Sequence, residues 1–406
     1  MRHVIRGRLS AAFAASAAIV ALLLGLSLPG NAKAGAAIAW SVDGHGNAYD
    51  PDAIFSLYGW SHSKKAIALG ADGTVYVTGA TKPEGDQALT IKYNKDTGGA
   101  EWRVFARGAS NVFGDGAAIT IDGSNNVFVA GSIYYNEPSF GVGFLTLKYD
   151  QTGTEVWRVV AVAEAYATAE ALAMDAAGNV YVAGRVYRPV GSPGVDYLTV
   201  KYDPNGVEQW RATVSDAVGS DTPLSLGVDS SGNVYLAATT DATGRNGYLA
   251  VSYDPGGLER WRAAPKASSV SDDAFFQAAF DANGNVYLTG TSVDASTTRA
   301  FTIAYDRNGA EKWRSLGQAS REASYGIAID AAANVYVTGT ILGGTCGDWS
   351  AVAAKYDANG VQQWHVIGDI CNRDIYASAI AVDAASNIVV AATVDMGTDT
   401  NYLTIK

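Results

Sequence analysis

The chain has 406 residues, 48% of them hydrophobic, and its 40 acidic side chains outnumber 29 basic ones to give a formal charge of −11. A surface this acidic argues against nucleic acid or an anionic membrane as a partner, since both are held by clustered Lys and Arg. It favours cations, basic partners or neutral ligands.

In chain order, residues 1–34 read as an export leader. Arg2, Arg6 and Arg8 make the positive start, residues 11–28 the apolar stretch, and Ala32-Lys33-Ala34 an A-x-A cleavage site. Removing it takes away four basic residues and no acid, which moves the net charge to −15. No cysteine lies near the cleavage site to carry a lipid, and no second apolar run is long enough to span a bilayer. The expectation is a leader, 1–34, ahead of a single domain, 35–406, monomeric and either periplasmic or secreted.

The segment AAIAWSV (36–42) carries Trp40 with no upstream strand to pair with. A long connection follows, residues 43–65, holding His45, Tyr49, Tyr58, Trp60 and His62 together with Asp43, Asp50 and Asp52. The aromatic residues and histidines here are the candidate ligand contacts. The carboxylate spacing does not match an EF-hand loop, and neither H-E-x-x-H nor G-x-S-x-G occurs. Asp43-Gly44-His45-Gly46-Asn47 also resembles a repeat turn, but no matching second half follows it before residue 66.

From residue 70 onward the chain repeats. GADGTVYVTG (70–79), DGSNNVFVAG (122–131), DAAGNVYVAG (175–184), DSSGNVYLAA (229–238), DANGNVYLTG (281–290), DAAANVYVTG (330–339) and DAASNIVVAA (383–392) start 52, 53, 54, 52, 49 and 53 residues apart. Six of them are followed by a second segment of the type LTVKYDPNGVEQW (198–210), and the seventh ends in LTIK (403–406) without its turn or Trp strand. A strand-built period near fifty means a propeller or an array. The orphan Trp strand at one end and the missing one at the other answer each other. The expected fold is therefore all-β, a seven-bladed β-propeller of four-stranded blades. The N-terminal strand, residues 36–42, completes the last blade and removes an open sheet edge.

With these residues in view, the pattern D-x-x-G-N-V-Y-V-x-G followed by K-Y-D-x-x-G-x-x-x-W resembles the seven-bladed beta-propeller repeat family of bacterial extracytoplasmic proteins. The resemblance covers about residues 36–406. It implies fold and export and carries no catalytic residue with it.

The residues account for the blades without the family. Gly178 and Asn179 suit a tight turn, and Val180, Tyr181 and Val182 suit a strand covered on both faces. The strand before each turn alternates large and small residues, as expected where strands crowd. Asp203 and its equivalents read as turn caps, and Tyr202 and Trp210 as wedges between blades. The recurring Lys92, Lys148, Lys201 and Lys355 read as structural.

Cys346 and Cys371 fall in two loops expected on one face, and an oxidising compartment favours a disulfide between them. That face carries the long, varied loops and is the candidate binding surface. Seven to nine residues before the turns lie Asp115, Asp221, Asp273, Glu322 and Asp374, an acidic collar that would hold a cation such as Ca²⁺. No concentrated catalytic constellation is visible. The main expectation is an exported binding or interaction module for an unknown ligand or protein. The alternative is an enzyme, a lyase or glycan-active hydrolase, that uses His and carboxylates on the same face. A quinoprotein-like oxidoreductase is disfavoured by seven blades rather than eight and by the lack of an adjacent cysteine pair.

Overall fold

The computed structural model describes residues 5–9 and most of 67–405. It leaves out residue 71 and the segments 82–86, 107–113, 136–140, 162–165, 188–193, 218–223, 241–246, 265–271, 294–296, 318, 344–346, 384 and 396–399. All of its regular structure is strand. Twenty-eight strands form seven four-stranded antiparallel sheets, the blades expected of a seven-bladed propeller. In the first six blades each strand pairs with the next in sequence. Blade 3 is typical: Ala167–Met174, Val180–Tyr187, Val195–Tyr202 and Glu208–Ala217. Two compact units divide the chain, one built around residues 64–215 with blades 1–3, the other around 216–406 with blades 4–7.

The seventh blade is completed by an N-terminal strand, as expected, but by a different segment. Ile5–Leu9 runs antiparallel to the blade's third strand, Thr400–Ile405, with Ile5 opposite Thr404 and Leu9 opposite Thr400. Residues 36–42 lie outside the described residues. The physical reason is that a ladder is made of backbone groups. The Trp signature that marked 36–42 serves packing between blades, so it does not select which extended segment pairs. Ile5–Leu9 lies inside the stretch read as a leader.

Both repeat turns are built on a capping aspartate. In D-x-x-G-N, Asp175 Oδ1 accepts the backbone N–H of Ala177 and Asn179, while Oδ2 accepts the Asn179 side-chain amide and the Tyr181 hydroxyl. Asp229, Asp281 and Asp330 repeat the whole set. Burial pushes the Tyr235 phenol up to about 12, and its bond to the Asp229 carboxylate adds to the shift. In Y-D-x-x-G, Asp203 Oδ1 accepts the N–H of Asn205 and Val207, and Gly206 takes a φ of 82° that favours glycine. These turns confirm the capping roles expected of the aspartates.

Blades join through tryptophan. The indole N–H of Trp157 donates to the Pro204 carbonyl in the next blade's turn at 3.0 Å, and its ring covers Gly206, where a Cβ would approach to 2.9 Å. Trp102, Trp261 and Trp313 donate in the same way to Gln151, Arg307 and Ala358. Cores lie between neighbouring blades: Phe128, Phe144, Leu172, Val182, Leu198 and Tyr202 form one. The repeated lysines are structural too. Lys201 and Lys355 sit over the rings of Tyr181 and Tyr336 at 5.3 and 5.1 Å.

The last residue of V-x-G has a reason the repeat alone does not supply. The first strand of blades 2, 3, 5, 6 and 7 carries a bulge at Ala117, Glu170, Phe276, Tyr325 and Ser378. The bulge presses the chain onto the partner strand. A Cβ on Gly131, Gly184 or Gly339 would meet the carbonyl oxygen of Asp115, Thr168 or Ala323 at 1.8 to 1.9 Å. The expected crowding of first strands is also present, with Gly326 against the backbone of Ala379 in the next blade.

Cys371 lies in the turn closed by the Ile370–Arg373 bridge, and Cys346 lies outside the described residues. No free thiol occurs among the described residues. A bond between the two would close about 25 residues and contribute on the order of 3 kcal/mol. Thiol titration of the unreduced mature protein is expected to find none; two reactive thiols would contradict the pairing.

Candidate functional site

The varied loops leave each blade between its second and third strands and between its last strand and the next blade. The residues at those strand ends are the part of this side of each blade that is described. His45, Tyr49, Tyr58, Trp60 and His62 lie outside the described residues, as does Asp221.

The other collar carboxylates do not share a level. In the ladders Asp115 pairs with Ser132, one step beyond the repeat glycine Gly131. Asp273 pairs with Ser292 and Glu322 with Ile341, each two steps beyond the equivalent glycine, and Asp374 precedes its strand altogether. Successive strand residues point to opposite faces, so Asp115 and Glu322 lie on opposite faces of their own sheets.

Where the carboxylates are described, each has local partners. Asp115 accepts from the Ser132 amide at 2.9 Å, and Asp374 from the Trp349 amide and the Tyr376 hydroxyl at 3.0 and 3.2 Å. Glu322 is buried and lies 3.3 Å from His365 Nε2. No group of three or more His, Cys, Asp or Glu converges among the described residues.

The Glu322–His365 pair makes a pH prediction. The bond to Glu322 outweighs desolvation and holds the imidazole above its ordinary value of 6.5. The stabilisation it adds is fully present below that unfolded value and is lost as pH rises through the higher folded one. Wild type is therefore expected to lose melting temperature relative to His365→Gln between about pH 5 and pH 8. Parallel curves for the two proteins would show that the pair contributes nothing. The imidazole is partly exposed, so the effect should be small and salt-sensitive.

Two clusters of aromatic side chains, one in blades 2 and 3 and one in blades 5 to 7, were not singled out from the sequence. In blades 2 and 3, the rings of Tyr134, Tyr166 and Tyr187 meet edge-on at 6.4 and 6.3 Å, and Tyr166 is 40% exposed. Beneath them, Arg185 lies 5.9 Å from the Tyr187 ring and forms a buried ion pair with Glu170, which also accepts from the Thr168 hydroxyl. Glu170 is the bulge residue of its strand, and a bulge re-aims a side chain. A buried charge pair of this kind is retained only when well bonded. Ladder equivalents of Arg185 are Ser132, Thr291, Thr340 and Thr393. The cation in a column of small hydroxyls was the available signal.

In blades 5 to 7, the bulge residues Phe276 and Tyr325 meet with ring centroids 4.9 Å apart. Tyr376 and Trp349 pair at 6.3 Å. Burial raises the Tyr376 phenol, and the neighbouring Asp374, Asp395 and Tyr325 add to the shift. The four side chains thus form a run across three blades, each of them partly exposed.

No family model and no curated protein matches the chain. Among solved structures, the polysaccharide lyase Uly1 is similar at a TM-score of 0.50 and 10% identity, over 86% of this chain and 90% of that one. A PL25 ulvan lyase bound to -[GlcA(1-4)Rha3S]- is similar at 0.48 and 12%, over 85% and 94%. A protein of unknown function from Dyadobacter fermentans is similar at 0.41 and 10%, over 71% and 93%. At these identities the likeness is one of fold. The structure matched at a TM-score of 0.50 agrees with the all-β blade architecture, while the repeat family that the motifs resemble is not matched. No helix among the described residues is long and apolar enough to cross a membrane.

Proposed function

We propose that this is an exported carbohydrate-acting protein whose reaction is β-elimination on an acidic polysaccharide. The observation that carries the reading is the cluster of Tyr134, Tyr166 and Tyr187 seated on the buried Arg185–Glu170 pair. Amphipathic rings at strand ends offer flat apolar surface with a hydroxyl at the rim, which suits sugars. The fold likeness to a polysaccharide lyase adds support, because a rigid scaffold keeps its shape while its loops set the chemistry.

Elimination removes the proton α to a uronate carboxyl, forms a C4–C5 double bond, and expels the C4 oxygen, which takes up a proton. A phenol serves as acid and, ionised, as base. Tyr187, held from below by Arg185, and Tyr166 are the groups assigned to those transfers. Hydrolysis by a carboxylate pair needs two carboxyls set about 5 to 10 Å apart across the bond. The carboxylates described on this side are instead tied to local partners. That same engagement favours the second reading, a binding module without catalysis.

Purified mature protein is to be incubated with polygalacturonate, alginate and a sulfated glucuronan, and the conjugated unsaturated product followed by ultraviolet absorbance. Tyr187→Phe and Tyr166→Phe are expected to lower the rate 10²-fold or more with little loss of binding. Activity in wild type that both variants retain would remove the tyrosines from the mechanism.

A further inference from the structure

We propose that the aromatic run Phe276, Tyr325, Tyr376 and Trp349 is a second subsite, which binds neutral pyranose rings of a polysaccharide by stacking. This rests on the carbohydrate reading of the tyrosine cluster and adds a separate cluster in blades 5 to 7.

The run is built rather than incidental. Phe276 and Tyr325 occupy the same bulge position in adjacent blades, between Phe275 and Gln277 and between Ser324 and Gly326. The equivalent residues are Ala117, Glu170 and Ser378, so this position varies while the ladder around it repeats. A bulge takes a residue out of the ladder and turns its side chain off the strand's regular faces. In blades 5 and 6 that freedom is used twice for an aromatic ring, and the two rings meet at 4.9 Å and 69°.

Tyr376 continues the run at the start of blade 7's first strand, Ile375–Val382. It is 40% exposed and is fixed by its hydroxyl bond to Asp374. Trp349, opening the third strand of blade 6, Trp349–Tyr356, is fixed by its amide bond to the same carboxylate. One aspartate thus holds two neighbouring aromatic residues in place. Partly exposed rings anchored by their backbone or hydroxyl suit the C–H face of a pyranose.

The charge on the run selects the ligand. The charged groups acting on the Tyr376 phenol are Asp374 and Asp395, both carboxylates. They accept hydrogen bonds from sugar hydroxyls and repel a uronate or sulfate. The subsite therefore takes neutral sugars, in contrast to the acidic unit proposed for the tyrosine cluster of blades 2 and 3.

The test is affinity electrophoresis of the mature protein in native gels containing a β-glucan, a galactomannan, a xylan or, for contrast, polygalacturonate. Retardation is expected in at least one neutral gel. Tyr325→Ala and Tyr376→Ala are expected to weaken it roughly ten-fold each, and Tyr376→Phe, which keeps the ring, to retain it. Leu258→Ala, at an exposed residue outside both clusters, should leave it unchanged. Thermal melts of every variant confirm that it is folded. Absence of retardation in all three neutral gels overturns the proposal, as does retardation that the folded Tyr325→Ala and Tyr376→Ala proteins keep. Wild type that is retarded through these residues but yields no elimination product would sink the preceding reading and leave this one standing.

Discussion

Gly184→Ala is expected to destabilise the protein by about 3 kcal/mol or more, while Gly123→Ala should change almost nothing. A Cβ at Gly184 would stand 1.9 Å from the Thr168 carbonyl oxygen and 2.7 Å from the Ala169 Cα, both backbone atoms. Neither can swing aside as a side chain does, so the bulge at Glu170 must be rebuilt. Overpacking of a well-fitted interior costs about 1 to 3 kcal/mol, and rebuilding the bulge also disturbs the buried Arg185–Glu170 pair. At Gly123 no atom lies within 4 Å of the added carbon. Urea unfolding of the two variants checks this. Equal midpoints would show that the bulge does not depend on glycine, and the account of the V-x-G motif would fail.

A chain beginning at Gly35 is expected to keep the stability of the full-length chain, and a chain beginning at Asp43 to lose several kcal/mol and aggregate. The third strand of blade 7, Thr400–Ile405, has one edge filled by the second strand and the other by Ile5–Leu9. A five-residue ladder supplies several backbone hydrogen bonds at about 1 kcal/mol each, and an unfilled edge invites pairing between molecules. We propose that residues 36–42 fill the edge once the leader is gone. Thermal melts and size-exclusion chromatography of the two truncated chains separate the cases. Loss of stability already at Gly35 would make Ile5–Leu9 the required strand. No loss at Asp43 would mean the edge needs neither.

The blades were legible because their causes are local and repeated seven times. Asp175 and Asn179 are four residues apart, and the bonds between them define the turn. Trp157 reaches a carbonyl 47 residues on, yet the period carried that contact too. The collar misled because residues were counted back from the turn. Counts of seven, eight and nine were taken as one position, yet Asp115, seven before Asp122, falls one ladder step short of Glu322, eight before Asp330. Arg185 and Glu170 were passed over for the opposite reason. They occur once, and a search for recurring residues discards what departs from the pattern. The same holds for Phe276 and Tyr325, which read as two more apolar strand residues until the bulge placed them together.

The claim that this side of the blades acts on polysaccharide is tested most directly by ultraviolet absorbance of wild-type mature protein mixed with acidic polysaccharides. The account predicts a steady rise from unsaturated ends together with falling viscosity, reduced 10²-fold or more by Tyr187→Phe. A flat trace with every acidic polysaccharide, from protein shown to be folded, would contradict it.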